Sequence, residues 1–130
     1  MFVQNLNDRQ QGALLHYADE VMRADKGIDA EELMVMDMLR SQTEPGVKGE
    51  DVPIEELPDL FEDRLSRISF LLELVGMGYA NNNFDPAQSE LVKRIAKAFC
   101  FHDDGTFEAI DHWVRDQLFL VKRAQQLMEG

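Results

Sequence analysis

The chain has few residues of the kinds that would cross-link it, make it basic or insert it into a membrane. One cysteine, Cys100, in 130 residues excludes an internal disulfide and fits a reducing compartment. Thirteen Lys and Arg against 25 Asp and Glu give a formal net charge of −12, which opposes binding to nucleic acid and anionic lipid. The most apolar run, 68–80, contains Glu73 and is too short to span a bilayer, and no signal peptide is evident. We therefore expect a cytoplasmic protein with no membrane insertion and no nucleic-acid partner.

Helical periodicity runs through almost the whole sequence. Apolar side chains recur at three- and four-residue steps, and no segment keeps the two-residue alternation of a strand. With 45% hydrophobic residues, a chain of this length can bury one continuous core. The sequence therefore predicts an all-α, single-domain bundle of about five to six helices that covers residues 1–130.

The predicted helices form two related hairpins and a final helix. The first hairpin repeat covers about 8–41, a Pro- and Gly-rich loop 42–53, a short acidic helix 54–62, the second hairpin repeat about 64–102, and the C-terminal helix about 106–128. Because residues 65–79 are apolar on nearly all sides, we expect that helix to be central and buried. Gly76 and Gly78 predict close packing or an early end there. Apolar residues also recur at helical spacing along the last helix, from Phe107 to Leu127.

A turn of the same form occurs twice, in residues 24–33 and 80–88. The matched positions, at an offset of 56 residues, are Ala24 and Ala80, Gly27 and Asn83, Ile28 and Phe84, and Asp29 and Asp85. Gly and Asn favour the left-handed backbone that ends many helices, and Asp is a preferred N-cap of the helix that follows. Each copy therefore predicts a helix end, a tight turn and a new helix.

Capping chemistry accounts for several polar residues of these turns. Asp29 and Asp85 are the predicted N-caps, and Glu32 and Gln88 stand three residues later, as the reciprocal partners of capping boxes. Pro86 falls at the first helical position, where its missing N–H donor costs nothing. A purely structural role is sufficient for all of these residues.

The first turn nevertheless holds more carboxylates than capping uses. Asp25 and Glu31 accompany Asp29 and Glu32, whereas the second turn keeps only Asp85. Three or four carboxylates around one turn resemble the oxygen-rich environment that Ca²⁺ or Mg²⁺ prefers. An EF-hand is excluded because the residues that follow Asp25 do not match the ligand positions of its loop.

Residues 24–33, with their degenerate second copy, resemble the signature of the tellurite-resistance TerB-like family. The resemblance covers roughly residues 14–101 and departs from the family pattern at Asn81 and Gln88. It implies a small helical protein of paired hairpins whose acidic turn residues bind metal. It also implies a non-catalytic, acidic module that binds Ca²⁺ or Mg²⁺ weakly and has a stress-related or assembly role through a protein partner. The implied metal ligands are Asp25, Asp29 and Glu32, with Glu31 and Asp85 as weaker candidates.

Two other function classes remain open. The protein could be a purely protein-binding adaptor with structural turns, in which an acidic face or a methionine patch makes the contact. Met34 and Met38 are the candidates for such a patch, because Met36 falls on a predicted core stripe with Leu33 and Leu39. The other class is a metal-dependent hydrolase that uses the same carboxylates to activate water.

The histidines and the cysteine carry less specific signals. His16 precedes Glu20 by four residues and His112 follows Glu108 by four, which is the spacing of ordinary pairs on a helix surface. A hydrolase site would instead require His16 or His112 within reach of Asp25. Cys100 lies at a predicted helix end among apolar neighbours, so we expect a small buried thiol.

Overall fold

The structure is a computed structural model that describes residues 1–24, 30–79 and 84–130. Within these ranges every regular element is helical, which confirms the predicted all-α class. Short 3₁₀ turns at Val3–Asn5 and Ile54–Glu56 precede the first and third α-helices. The α-helices of the described residues are α1 (Asp8–Arg23), α2 (Ala30–Gln42), α3 (Leu57–Leu60), α4 (Arg64–Gly78), α5 (Pro86–Ala98) and α6 (Thr106–Glu129).

Side-chain caps fix where the helices begin. At α1, the Asn7 side chain accepts a hydrogen bond from the Gln10 backbone at 2.9 Å, and the Gln10 side chain accepts one from the Asn7 backbone at 2.9 Å. At α4, the Asp63 carboxylate accepts a bond from the Ser66 backbone at 2.8 Å. That bond, followed by one from the Ser66 side chain, holds the pKa of Asp63 below its ordinary value. Each cap satisfies an amide that the first helical turn leaves without a partner.

Helix α4 occupies the centre of the bundle, as predicted, and it packs against α1, α5 and α6. Four of its side chains, Phe70, Leu71, Leu74 and Val75, have no exposed surface. At Gly78 a Cβ atom would lie 2.3 Å from the Phe84 ring, so the close packing expected there is confirmed. Gly76 has nothing within 4 Å of that position, and the other predicted outcome applies there, because α4 ends two residues later at Gly78.

An aromatic cluster joins three helices inside the bundle. The ring of Phe70 in α4 lies 4.5 Å from Phe61, 6.1 Å from Phe99 and 6.3 Å from Tyr17, measured between centroids. The Phe99 and Tyr17 rings meet it edge-on, the arrangement that the aromatic quadrupole favours. The Arg67 guanidinium lies 5.2 Å from the centre of the Phe99 ring. These contacts fix α1 and α5 against α4.

The loop that follows α2, residues 43–53, is bonded along the surface of α1 and is called the strap below. The backbone N–H of Glu44 donates to the Gln11 side chain at 2.8 Å, and the N–H of Glu50 donates to the Gly12 carbonyl at 3.0 Å. Gln11 is itself buried and donates to the carbonyl of Leu6. The strap is thus tied to the first half of α1 at both of its ends.

Two residues of α1 show how closely the strap lies. A Cβ atom at Gly12 would sit 2.9 Å from the carbonyl oxygen of Lys48, so only glycine fits there without a backbone shift. Five residues later, the hydroxyl of the buried Tyr17 donates to the backbone carbonyl of Val52, which is buried as well. Hydrogen bonds of this kind satisfy loop backbone groups that are removed from water.

Helix α2 is rotated relative to the predicted stripe. Met36 and Leu39 are buried as expected, but Leu33 is 49% exposed, so its assignment to the core was wrong. The buried position at the start of α2 is taken by Glu32, at 6% exposure. Positions 32, 36 and 39 follow the helical period as well as 33, 36 and 39 do, which is why the pattern alone could not separate them.

Cys100 is exposed, contrary to the buried thiol that the sequence predicts. Its backbone adopts a left-handed conformation, with φ of 64°. The N–H of Phe101 donates to the Ala96 carbonyl and the N–H of Cys100 donates to the Lys97 carbonyl, both at 2.9 Å, which is the bonding of a Schellman motif. This turn directs the flanking Phe99 and Phe101 into the core and leaves the thiol outside.

Helix α6 begins against α4 and then leaves the body of the protein. Phe107, Ile110 and Val114 are buried, and Leu118 is partly buried. From Phe119 to the end of the chain every residue is exposed. The apolar stripe through Leu127 therefore faces the core only in its first half.

Candidate functional site

The first hairpin turn, where the cation site is predicted, is only partly described. Asp25 and Asp29 lie outside the described residues, and so does the side chain of Glu31. Glu32 is described, and α2 places its side chain on the buried side of the helix. A buried carboxylate is stable only when opposite charge or hydrogen-bond donors accompany it. That these carboxylates lie close together therefore stays a prediction. Of the four, only Glu32 is placed, on the interior side of α2.

The second turn is capped as the sequence predicts. The Asp85 carboxylate accepts a hydrogen bond from the Gln88 backbone at 3.0 Å, and the Gln88 side chain accepts one from the Asp85 backbone at 3.3 Å. Pro86 occupies the first helical position of α5. Capping alone explains the position of Asp85, whereas its weaker candidacy as a metal ligand remains untested.

His16 lies between two carboxylates from different parts of the chain. Its Nε2 atom is 3.0 Å from Glu20, the predicted neighbour one turn later, and 3.3 Å from Asp51 in the strap. Asp19, three residues after His16 on the same helix, pairs with Arg23 instead. The contact with Asp51 had no signal in the sequence, because it depends on how the strap folds back over α1.

Both tyrosines titrate above their ordinary range because they are removed from water. Burial, followed by the charges of Glu20 and Asp51, raises the pKa of Tyr17 from 10.0 to about 12. Burial also raises the pKa of Tyr79 to about 12, and its hydrogen bond to Asp111, 2.7 Å long, acts in the same direction. Neither phenol is poised as a proton donor near neutral pH.

The hydrolase hypothesis requires carboxylates and a histidine that lie close together. Over residues 1–24, 30–79 and 84–130, no group of three His, Cys, Asp or Glu side chains is placed to hold a metal ion. His112 is exposed on α6, and His16 is engaged with Glu20 and Asp51. Their distances to Asp25, on which the hydrolase hypothesis depends, lie outside the described residues.

An apolar patch stands out on α2. Met34 and Met38 are 67% and 62% exposed, which confirms the prediction that they face away from the core. The exposed Leu33 lies beside them and enlarges the patch. Asp37, paired with Arg40 at 3.1 Å, flanks it on the same helix. We call Leu33, Met34 and Met38 the α2 patch.

A separate cleft of about 610 Å³ lies between the start of α1, the strap and the segment before α4. Arg9 is its basic residue, and it pairs with Glu50 at 3.3 Å. The carboxylates along its walls are Glu50, Asp51, Glu56, Asp59, Glu62 and Asp63. Such a surface attracts cations and basic side chains and repels phosphate.

The chain was compared with protein families, curated proteins and solved structures. No family model, curated protein or solved structure matches the chain. The resemblance of the first turn to TerB-like proteins therefore stays a prediction. Among the described residues, no helix has the length and apolarity needed to cross a membrane.

Proposed function

We propose that the protein is a non-catalytic binding module that engages a protein partner through the α2 patch. The supporting observation is the exposure of Leu33, Met34 and Met38 on neighbouring turns of one helix. Large apolar side chains scattered singly need no explanation, but a contiguous group of three is typical of an interaction surface. Methionine suits this role because its flexible, polarisable side chain adapts to the shape of a partner.

The charge of the molecule restricts the chemistry of that partner. With a net charge of −12, the protein attracts partners whose binding face carries Lys or Arg around an apolar centre. Asp37, which is 76% exposed, provides a negative charge at the edge of the patch that a basic side chain of the partner can contact. An amphipathic, basic helix laid across the patch satisfies both requirements.

The experiment compares partner binding by three forms of the protein. Wild type is used to isolate a partner, which is then purified and titrated calorimetrically against wild type, Met34→Glu/Met38→Glu and Leu65→Glu. Leu65 is the matched control because it is 62% exposed but lies on α4. Loss of the two methionines should weaken binding at least tenfold, whereas the Leu65 variant should bind like wild type.

A partner that binds the double methionine variant as tightly as wild type would refute the α2 patch as the recognition surface. Circular dichroism provides the folding control. Since both methionines are exposed, their replacement should leave the helical signal and the thermal midpoint nearly unchanged.

A second candidate function is weak binding of Ca²⁺ or Mg²⁺ at the first hairpin turn, as the TerB-like resemblance implies. The position of Glu32, buried two residues after α2 begins, favours it, because it keeps one predicted ligand on the interior side of the helix. Asp25 and Asp29 would complete the ligand set, with Glu31 as a further donor. On this reading, the ion neutralises part of the surplus charge at the turn and supports a stress-related or assembly role.

Calorimetry and thermal shift with Ca²⁺, Mg²⁺, Mn²⁺ and Zn²⁺ test this second candidate. Asp25→Asn/Asp29→Asn should abolish the response, while Asp85→Asn should retain it, because asparagine caps a helix nearly as well as aspartate does. If no cation produces heat or a shift in wild type, the site does not exist. The adaptor proposal is unaffected by that result, since the α2 patch contains no carboxylate.

A further inference from the structure

The exposed end of α6 carries an ordered apolar pattern rather than scattered side chains. Leu120, Val121, Leu127 and Met128 are between 54% and 83% exposed. They continue the spacing of Ile110, Trp113 and Val114 in the first half of the helix. The repeat, which follows the a and d positions of a heptad, is Ile110, Trp113, Gln117, Leu120, Ala124 and Leu127. We call this series the α6 seam.

The first half of the seam borders an apolar groove of about 560 Å³ between α6 and α4. Trp113 is 38% exposed at this groove, although Phe2 meets its ring edge-on at 5.5 Å. The apolar side chains along the groove are Phe2, Ile68, Leu72, Ala109, Ile110 and Trp113. One helix thus has an open groove beside its start and an uncovered apolar stripe at its end.

We propose that two copies of this chain pair through α6 as a symmetric antiparallel dimer, in which the exposed end of each α6 covers the groove beside the other. Antiparallel a and d positions then meet in three layers. Leu127 of the second copy covers the groove beside the buried Ile110, Trp113 faces Ala124, and Gln117 faces Leu120. The bulky Trp113 is thereby matched to a small side chain. The layers repeat by symmetry, so each copy supplies both groove and stripe.

Charges beside the seam select this register. Asp116 and Arg123 occupy the same flanking heptad position, seven residues apart. In the proposed register Asp116 of each copy lies next to Arg123 of the other, which makes two ion pairs. A shift by one heptad in either direction brings two Asp116 or two Arg123 side chains together instead.

The charge distribution favours a second copy as the occupant. Beyond Leu118 the helix carries Lys122, Arg123 and Glu129, which give this end a net charge of +1. Because the whole chain has a net charge of −12, the rest of the protein has a net charge of −13. The end of α6 is therefore attracted to the acidic body of another copy. A stable interface of ordinary size buries roughly 800 Å² from each partner. In a symmetric pair each contact occurs twice, so the interface contains two helix ends and two grooves. Together they form one continuous surface along both α6 helices.

Sedimentation equilibrium over a hundredfold concentration range tests the dimer. Wild type should pass from monomer to dimer, and the emission of Trp113, the single tryptophan, should shift to the blue in parallel as the groove closes. Leu120→Glu/Leu127→Glu should remain monomeric with an unchanged helical signal, because both side chains are exposed. Phe119→Gln is the matched control: Phe119 is 61% exposed but on the opposite side of α6, and a neutral side chain there forms no ion pair with the nearby Arg123, so this variant should still dimerise.

Charge reversal tests the register. Asp116→Arg or Arg123→Asp alone should raise the dissociation constant on the order of tenfold, and the double reversal should restore it. Three results would overturn the proposal: a wild type that is monomeric throughout, a dimer indifferent to Leu120 and Leu127, or single reversals that the double variant does not rescue. A monomer that instead uses the same two leucines to bind phosphatidylcholine vesicles would assign the stripe to lipid and also overturn it.

Discussion

The hydroxyl of Tyr17 in α1 donates a hydrogen bond to the backbone carbonyl of Val52 in the strap. Both residues are buried, so the carbonyl has no access to water when this donor is removed. Tyr17→Phe should lower the free energy of unfolding by about 1–3 kcal/mol. It should also accelerate tryptic cleavage after Lys48, which lies in the strap.

Tyr79→Phe is the comparison for that variant. It removes the bond to Asp111 on α6 and leaves the strap contacts intact. Cleavage after Lys48 should then proceed at the wild-type rate. Equal rates for both tyrosine variants would show that the Tyr17 bond does not restrain the strap.

Alkaline pH should destabilise the protein through its two tyrosines. Burial raises the pKa of Tyr17 and of Tyr79 from 10.0 to about 12, so the folded state favours the protonated phenol. Their contribution is complete below pH 10 and is lost as the pH rises from 10 to about 12. Phenolate absorbance should appear near pH 12 in the native protein and near pH 10 in denaturant. Native titration near pH 10 would contradict the partial or full removal of these two phenols from water.

Two glycines of α4 should respond to the same substitution with opposite signs. Gly78→Ala places a Cβ atom 2.3 Å from the Phe84 ring, and overpacking of this kind costs about 1–3 kcal/mol. Gly76→Ala meets nothing within 4 Å and should stabilise the helix by about 0.5–1 kcal/mol. Denaturant titration of both variants measures the difference. If Gly78→Ala is the more stable variant, the packing at the end of α4 is not as described.

Replacement of Cys100 by glycine should stabilise the protein. The φ of 64° at Cys100 costs an L-residue about 1–2 kcal/mol of strain. Glycine removes this strain, but its more flexible unfolded chain loses more conformational entropy on folding, which offsets part of the gain. Cys100→Gly should therefore stabilise the protein by about 0.5–1 kcal/mol, whereas Cys100→Ala should change stability little. The thiol of the native protein should react with a water-soluble disulfide reagent at the rate of an exposed cysteine. A protected thiol would contradict the left-handed turn.

The sequence predicted most of the helical frame because local chemistry determines it. In α1 and α5 the apolar spacing and the caps agree, so both the boundaries and the buried sides of these helices follow from the residues themselves. In α2 two stripes fit the same period, and tertiary packing selected the one that begins at Glu32 rather than Leu33. In α6 the pattern is identical for a core-facing side and for an uncovered one, so the sequence could not show that the helix leaves the body after Leu118.

The candidate sites were predictable to different degrees. The exposure of Met34 and Met38 followed from their angle to Met36, and the capping by Asp85 followed from Pro86 and Gln88. The contact between His16 and Asp51 could not be predicted, because no local rule fixes where a long loop is laid on a neighbouring helix. The orientation of Cys100 could not be predicted either, because the left-handed residue at a helix end is usually Gly or Asn.

The strap offers one place where foreign sequence can be carried without cost to folding. Its attachments to α1 lie on either side of an exposed turn at Pro45 and Gly46, and a Cβ atom at Gly46 meets nothing within 4 Å. An epitope or a fluorescent peptide inserted between those two residues would project from the surface with both flanking attachments intact. The same insertion between Gly49 and Glu50 would break the hydrogen bond from the Glu50 amide to Gly12 and detach that end of the strap from α1.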